Sequence, residues 1–225
     1  MCGLAGVISY NKNLDASIIN QMTDLISYRG PDDEGALSLN LGTNGIKTFK
    51  RASELNVNSR SGRLFLGHRR LSIIDLSQDG HQPMSYMNGR YWIIYNGEIY
   101  NYVELKKELI SSGYKFKSQT DTEVILAAYD NWGENCLNYF NGMWSFVILD
   151  TKKQRIWGST DRYGIKPMYY YDDGNYVCFS SEVKQILNLD FLNKALDNGS
   201  IFDFLFLGSD TDSFETTMFK NIRRL

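Results

Sequence analysis

The spacing of apolar residues divides the chain into blocks of strands and helices, and this block order most constrains its fold. Short apolar runs typical of strands cover residues 4–10, 64–66, 71–74 and 91–95. Helical spacing then covers residues 103–112 and 122–132. Further strand-like runs follow at 144–149, 155–159, 168–171 and 176–179, the last two separated by a polar hairpin loop. Strands grouped on either side of paired helices predict an α+β layered fold rather than a doubly wound parallel sheet.

Helices are also predicted near both ends of the chain, and a long loop is predicted in one internal stretch. Apolar positions predict a helix within residues 18–26 and short helices over 182–189 and 201–207. Residues 36–63 are polar and rich in Asn, Ser and Gly, which predicts two weak strands and a long loop.

The charge balance and the apolar distribution argue against several classes of protein. With 24 Lys and Arg against 26 Asp and Glu, the chain lacks the basic excess of a nucleic-acid binder. No apolar segment reaches the roughly 20 residues that a membrane span needs, and no secretory signal is visible. Three cysteines without a CxxC pair, and two histidines in a loop-like region, predict neither a disulfide framework nor a metal site. We therefore expect a reduced, cytoplasmic, metal-free protein.

Cys2 follows the initiator methionine and is small enough to permit its removal. The exposed residue would carry a thiol and an α-amine, and an α-amine titrates near ~7.7–8.0, so part of it is neutral and can accept the thiol proton. Nucleophile and base would then come from one residue. The alternative is a small buried residue at the start of a strand. Cys136 and Cys178, among apolar neighbours, are predicted to be core residues.

A series of ordered motifs carries a resemblance to one family. The motifs are Met-Cys-Gly-Leu-Ala-Gly-Val at 1–7, Arg-Gly-Pro-Asp-Asp-Glu-Gly at 29–35, His-Arg-Arg-Leu-Ser-Ile-Ile-Asp-Leu-Ser at 68–77, Gln-Pro-Met at 82–84, Tyr-Asn-Gly-Glu-Ile-Tyr-Asn-Tyr at 95–102, Thr-Asp-Thr-Glu at 120–123, Gly-Met-Trp-Ser-Phe at 142–146 and Asp-Arg-Tyr-Gly-Ile-Lys-Pro-Met-Tyr-Tyr at 161–170. Together they resemble the glutamine-hydrolysing asparagine synthetases, whose N-terminal part is a class II glutamine amidotransferase domain. The resemblance implies an N-terminal-nucleophile hydrolase fold, a four-layer αββα sandwich with two antiparallel sheets between helix layers.

The resemblance also assigns catalytic roles. Attack of the Cys2 thiolate on the glutamine side-chain amide builds a negative oxygen, which needs preorganised donors. The amide of Asn96 and the backbone N–H of Gly97 would form this oxyanion hole. Without the resemblance, Asn-Gly would be read as a hairpin turn.

Free glutamine is a zwitterion, so its site needs a cation and an anion. The resemblance assigns Arg70 to the substrate carboxylate and Asp121 to its ammonium group. The remaining implied lining residues are Leu71, Ser72, Ile73, Ile74, Asn96, Gly97 and Glu98. Taken alone, Asp121 would be read as a helix N-cap.

The domain organisation implied by the resemblance is a glutaminase domain at residues 1–190 and an extension at 191–225 that begins a linker to an ATP-dependent synthetase domain. The chain contains no Ser-Gly-Gly-x-Asp-type pyrophosphate loop. We therefore expect no cofactor in this chain, with ATP and Mg²⁺ belonging to the absent synthetase domain. The expected partners are L-glutamine, a synthetase domain or chain, and a second copy in a homodimer.

Three alternatives stay open from the sequence. The chain could be a catalytically silent module that acts in protein interaction. It could serve another acceptor carboxylate, such as a sugar acid, because residues 36–63 form a long polar stretch. An N-terminal-nucleophile protease is disfavoured by the zwitterion-sized pair of Arg70 and Asp121.

Overall fold

The computed structural model describes residues 1–40, 45–55, 60–208 and 215–225. Its strands are β1 (Gly3–Ser9), β2 (Leu14–Asp15), β3 (Asp33–Leu39), β4 (Ile46–Phe49), β5 (Ser61–Gly62), β6 (Leu64–Arg70), β7 (Met84–Tyr86), β8 (Tyr91–Ile99), β9 (Gly142–Asp150), β10 (Arg155–Thr160), β11 (Tyr169–Asp172), β12 (Tyr176–Ser180) and β13 (Ile222–Arg224). Its α-helices are α1 (Ser17–Asp24), α2 (Tyr102–Ser111), α3 (Asp121–Trp132), α4 (Val183–Leu187) and α5 (Asn198–Leu207). Short 3₁₀ helices cover Ser27–Arg29, Ala52–Glu54, Gln78–Gly80 and Gly133–Asn138. No helix of this described part is long and apolar enough to cross a membrane.

Two antiparallel sheets form the centre of the molecule. The larger has seven strands in the order β13-β11-β12-β1-β6-β3-β4, and the smaller has four in the order β10-β9-β8-β7. The short pair β2 and β5 forms a separate ribbon. Strand β1 lies in the middle of the larger sheet, paired with β12 on one side and β6 on the other. The N-terminus therefore starts at the centre of the fold.

Successive side chains of β1 point alternately toward the smaller sheet and toward the helices on the other side. Leu4 and Ile8 belong to one apolar cluster with Ile94 and Val147 of the smaller sheet, whereas Val7 belongs to the cluster that includes residues of α1 and α4. Successive strand residues point to opposite faces, so one strand can bury apolar side chains on both. Each fully buried aliphatic side chain contributes about 1.5–3 kcal/mol to stability.

Three apolar clusters correspond to the three interfaces between layers. The first lies between helices α2 and α3 and the smaller sheet, the second between α1, α4 and the larger sheet, and the third between the two sheets. The predicted four-layer αββα sandwich is confirmed. Cys136 and Cys178 are buried in the first two clusters, as predicted.

Several local predictions from the sequence are corrected. Residues 71–74 are a loop rather than a strand, because β6 continues to Arg70 and then leaves the sheet. Asn96 and Gly97 lie inside β8 and make no hairpin turn. His68 lies in β6, not in a loop. The strands predicted within 36–63 are found as β3, which starts earlier at Asp33, and β4, while 41–44 and 56–59 lie outside the described residues.

The C-terminal part adds a helix and a strand. Residues of β13 pair with β11 in the register Tyr169–Arg224, Tyr170–Arg223 and Tyr171–Ile222, which makes β13 an edge strand of the larger sheet. Helix α5 begins at an N-cap, Asp197, and has no buried residue. The division of the chain at residue 190 stays a prediction.

Candidate active site

Cys2 lies where the two central strands of the larger sheet end. Because Gly3 pairs with Arg69, the extended antiparallel register sets Cys2 opposite Arg70. The backbone N–H of Leu71 donates to Cys2 Sγ at 3.3 Å, and Sγ lies 3.6 Å from the Leu71 carbonyl. Arg29 Nε donates to the Cys2 carbonyl at 3.0 Å, and its guanidinium pairs with Glu182 at 2.8 Å. Both the backbone and the thiol of Cys2 are therefore held in place.

The environment of Cys2 favours the thiol over the thiolate. Burial raises the pKa of Cys2 more than the Leu71 N–H, the N-terminal charge and Arg70 together lower it. A thiol in this state needs a base before it can attack. No histidine contacts Sγ in the described residues: His68 donates Nε2–H to the Tyr95 carbonyl, and His81 pairs with Asp33.

Cys2 opens onto a cavity of about 230 Å³ at one end of the sandwich. The predicted residues that line it are Cys2, Arg70, Leu71, Ile73, Ile74, Asn96, Gly97, Glu98 and Asp121. Ser72 is not among the lining residues, and its backbone N–H donates to Asp32 at 2.7 Å. The roles of these residues stay predictions, but the fold brings nearly all of them to one cavity.

Asn96 presents an unpaired donor to this cavity. Its side chain is 2% exposed, and its Nδ2 has no hydrogen-bond partner in the described residues. A buried polar atom without a partner is rare, because its desolvation is uncompensated. The unpartnered Asn96 amide is therefore suited to donate a hydrogen bond to an oxygen atom of a bound ligand.

The backbone N–H of Gly97 faces the same edge of β8. Gly97 lies opposite Trp144, whose N–H and carbonyl are both bonded to Asp161 on the other side of β9. Gly97 and Trp144 therefore form a non-hydrogen-bonded pair, so the Gly97 N–H points away from β9. On that edge the neighbouring N–H groups of Tyr95 and Ile99 donate to Gln82 Oε1 and Asp121 Oδ2. The Gly97 N–H between them has no side-chain or loop acceptor in the described residues.

Only glycine fits at position 97. A Cβ there would lie 2.3 Å from the Met143 carbonyl oxygen and 2.7 Å from the Trp144 Cα. Both atoms belong to the backbone of β9, which cannot give way without disturbing the ladder.

Arg70 supplies a buried cation. It is 6% exposed, and its Nη1 donates to the Ser77 carbonyl at 2.8 Å while Nη2 donates to the Asp75 carbonyl. Gly80 packs against the guanidinium, since a Cβ at that position would lie 2.0 Å from Nη2. Within the described ranges no carboxylate forms a salt bridge with Arg70. Its charge is therefore oriented by neutral carbonyls and is available to an anion.

Asp121 supplies a buried anion. It is 4% exposed, and its Oδ2 accepts hydrogen bonds from the Tyr95 hydroxyl at 2.7 Å and the Ile99 N–H at 2.9 Å. Burial raises the pKa of Asp121 more than these bonds lower it. The N-cap of α3 is Thr120, so the reading of Asp121 as the cap is wrong. In the part of the chain described, no cation forms a salt bridge with Asp121.

Sequence reasoning missed several residues of the cavity. Gln82, Tyr95 and Lys166 line it, and each belongs to a motif that carried the resemblance. Gln82 and Tyr95 are bonded to each other, and Tyr95 also supports Asp121. The motifs therefore contained the signal, but their spacing did not show which members would meet.

A second cavity, of about 740 Å³, lies at the opposite end of the sandwich. Its lining is mainly apolar, with Ile8, Leu64 and Leu149 from the two sheets and the cations Arg90 and Lys152. It is larger than the cavity at Cys2, but its described lining includes no cysteine and no carboxylate. We therefore assign the chemistry to the smaller cavity.

Comparison with known families agrees with this geometry. A family profile described as a glutamine amidotransferase domain matches residues 1–225. The chain belongs to the glutamine amidotransferase domain family. The resemblance drawn from the motifs is thereby confirmed.

Relatives of this amidotransferase domain include glutamine-hydrolysing asparagine synthetases. A Methanocaldococcus jannaschii protein provisionally named asparagine synthetase 2 is 43% identical over 208 residues, which cover 86% of this chain and 36% of that protein. Asparagine synthetase 3 of Bacillus subtilis is 34% identical over 229 residues, covering 100% of this chain and 33% of the relative. The domain thus spans about a third of the length of these curated relatives and is homologous to their N-terminal region.

Solved structures agree on the fold. The glutamine phosphoribosylpyrophosphate amidotransferase from B. subtilis superposes with a TM-score of 0.68 at 20% identity, over 82% of this chain and 43% of the other. At this identity the likeness establishes the shared αββα architecture alone.

Proposed function

We propose that this domain hydrolyses L-glutamine to glutamate and ammonia, with Cys2 as the nucleophile after Met1 is removed. The observation that carries the proposal is the pair of unpaired donors, Asn96 Nδ2 and the Gly97 N–H, in the cavity that holds Cys2. Two unpartnered donors in the cavity of the nucleophile suit the oxyanion of acyl transfer. Membership of the glutamine amidotransferase family supports the same reaction.

The proposed reaction proceeds through a γ-glutamyl thioester. The Cys2 α-amine accepts the thiol proton, and Sγ attacks the amide carbon of the substrate. Asn96 and Gly97 donate to the resulting oxyanion. When the C–N bond breaks, the α-ammonium returns its proton to the leaving nitrogen, which departs as ammonia. Water, deprotonated by the α-amine, then attacks the thioester and releases glutamate.

Glutamine recognition follows from the two isolated charges. The Arg70 guanidinium is matched to an α-carboxylate, and the Asp121 carboxylate to an α-ammonium group. Because both side chains are buried and neither forms a salt bridge in the described residues, a zwitterionic substrate would compensate both charges at once. A protease acting within a peptide would leave both uncompensated.

Turnover of glutamine by the Met1-processed protein tests the nucleophile. We expect glutamate and ammonia in equal amounts, and a fall in kcat of at least about 10³-fold in Cys2→Ala. Cys136→Ala, which removes a buried thiol that does not line the cavity, serves as the matched control and should retain turnover. Turnover that survives Cys2→Ala, or a mass spectrum in which Met1 is retained, would refute the assignment. Peptide cleavage without glutaminase activity would favour the protease alternative.

A double-mutant-type cycle, which combines a variant enzyme with an altered substrate, tests whether Arg70 binds the α-carboxylate of glutamine. We expect Arg70→Met to lower kcat/KM for glutamine by about 10²-fold, since a buried charged hydrogen-bonded pair contributes about 2–4 kcal/mol. A glutamine analogue without the α-carboxylate should suffer a similar loss with the unchanged enzyme but little further loss with Arg70→Met. Fully additive losses would show that Arg70 binds something else.

The fate of the ammonia is a further part of the proposal. The names of the relatives support use of this ammonia in the formation of asparagine. We propose that a synthetase region binds ATP and Mg²⁺ for that step and that this domain needs no cofactor. We propose a cytoplasmic location, where free thiols stay reduced. A homodimer stays a prediction that light scattering can test. Labelled amide nitrogen from glutamine, followed into asparagine or into a sugar-acid amide, would identify the acceptor.

A further inference from the structure

Lys166 is a buried cation that the mechanism above does not use. It is 7% exposed and lines the Cys2 cavity. Its position is set by a turn in which Asp161 accepts its backbone N–H at 3.0 Å. The side chain therefore reaches the cavity from the segment that follows β10.

The Lys166 ammonium group contacts the N-terminal residue. Its recorded hydrogen bond is to Met1 Sδ, at 3.2 Å. A thioether sulfur is a weak acceptor, and no carboxylate in the described ranges forms a salt bridge with this ammonium group. A buried charge with so poor a partner is costly, which suggests that the charge serves the processed protein rather than stability.

Removal of Met1 would change what Lys166 faces. The new α-amine is the nitrogen of Cys2, the atom through which Met1 is now attached. A neighbouring cation disfavours the protonated form of an amine. We propose that Lys166 is a positioning residue that holds a positive charge beside the Cys2 α-amine and so favours the neutral form that accepts the thiol proton. The inference rests on the proposed function for the role of Cys2.

Other charges around Cys2 act on the same equilibrium. Those supplied by the surrounding elements are Arg29, Arg70, Glu98, Asp121, Asp161 and Glu182. Arg29 is paired with Glu182, and Arg70 is held by backbone carbonyls on the side of the substrate carboxylate. Burial lowers the pKa of Lys166, and the charge on Arg29 lowers it further, against the opposing effect of Cys2, Asp161 and Glu98. Lys166 lines the cavity together with Cys2, and of these cations it is the one with neither a carboxylate nor a backbone carbonyl as partner in the described residues.

The rate of Cys2 alkylation by iodoacetamide as a function of pH tests this role without glutamine. The variants are Lys166→Met and Lys166→Gln, which remove the charge, and Lys166→Arg, which keeps it, each with Met1 removed. We expect the acid limb of the alkylation profile, and that of kcat/KM, to move about one to two pH units higher in the neutral variants. Lys166→Arg should stay near the unchanged enzyme, and the rates should converge at high pH.

Each result decides for or against Lys166. A purely structural role would lower the rates equally at every pH, and an unmoved acid limb in the folded neutral variants overturns the proposal. Retention of Met1 in the protein isolated from cells also overturns it, since Cys2 then has no α-amine. A shifted alkylation limb without glutamine turnover would support the role of Lys166 while refuting the proposed function.

Discussion

At the residue scale, the cavity is defined by polar groups that are buried and incompletely paired. Asn96, Arg70 and Asp121 are each less than a tenth exposed, yet Asn96 Nδ2 has no hydrogen-bond partner and neither Arg70 nor Asp121 forms a salt bridge in the described residues. Stability alone would favour full pairing or apolar replacement. Buried residues that lower the stability of the fold, with no compensating interaction, are typical of functional sites.

His68 supports this group of residues from inside the larger sheet. Its Nε2–H donates to the Tyr95 carbonyl at 2.8 Å, while Nδ1 is buried without a partner in the described residues. Burial lowers the pKa of His68 from its ordinary value of 6.5 to about 4. The folded protein therefore keeps this imidazole neutral over a pH range in which the unfolded chain protonates it.

This difference predicts a loss of stability in acid. Above pH 6.5 the imidazole is neutral in both states; as pH falls toward 4 only the unfolded chain gains the proton, so the free energy of unfolding decreases by about 3 kcal/mol in all. His68→Gln removes the titrating group, and Gln can still donate to Tyr95. Urea denaturation at several pH values should show a shallower pH dependence in the variant. Equal slopes for the two proteins would refute the prediction.

At the element scale, the turn between β10 and β11 brings Lys166 to the cavity. Asp161 Oδ1 accepts the N–H groups of Tyr163 and Ile165, and Oδ2 accepts those of Trp144 and Lys166, all at 3.0–3.1 Å. Burial by itself would raise the pKa of Asp161, but these four donors lower it below its ordinary value. The carboxylate thus ties the turn to β9.

Asp161→Asn should loosen this turn. The amide retains one oxygen, and its NH₂ group would face two N–H donors. We expect the free energy of unfolding to fall by about 2–4 kcal/mol, because hydrogen bonds to a charged acceptor contribute about 1.5–3 kcal/mol each. Asp172→Asn is the matched control. Asp172 is exposed and, within the described residues, its side chain accepts only the Gly174 N–H, so this substitution should change the free energy of unfolding by less than about 0.5 kcal/mol. Equal stabilities of the two variants in urea denaturation would contradict this account.

At the scale of the whole molecule, the cavity lies where distant segments converge at one end of the sandwich. The N-terminus, the loop after β6, the start of α3 and the turn after β10 all contribute residues. Helix α5 differs from this cavity of buried polar groups, because its apolar side chains are exposed to solvent. Phe202, Leu205 and Phe206 are 63%, 77% and 77% exposed.

These exposed side chains predict self-association at high concentration. Contiguous apolar surface is unfavourable in water and is removed when molecules associate. We expect Leu205→Glu with Phe206→Glu to lower the apparent mass in concentration-dependent light scattering. Stability should change little, because neither side chain is buried. Leu76→Glu, at a position that is 78% exposed and lies outside α5, is the matched control and should leave association unchanged. Association that persists in the α5 variant would refute this prediction.

Much of the architecture was predictable from local patterns. Period-two alternation in β1 and helical spacing in α3 depend on residues close in sequence, so the layered α+β fold followed from them. The motifs also identified Arg70, Asn96, Gly97 and Asp121. Local preference was misleading where long-range bonds decide the backbone: Asn-Gly favours a turn, but pairing of β8 with β9 keeps residues 96 and 97 extended.

The sequence by itself therefore determined the family and the order of the elements, and it predicted the nucleophile at position 2. Only the tertiary structure decided which groups face the cavity unpaired. The direction of the Gly97 N–H depends on the register between β8 and β9. The lack of a salt bridge at Arg70 depends on the loop whose carbonyls bind its guanidinium. The contact of Lys166 with Met1 depends on a turn more than 160 residues from the N-terminus. Hydrogen-bond pairing and burial are properties of neighbours in space, which spacing along the chain does not specify.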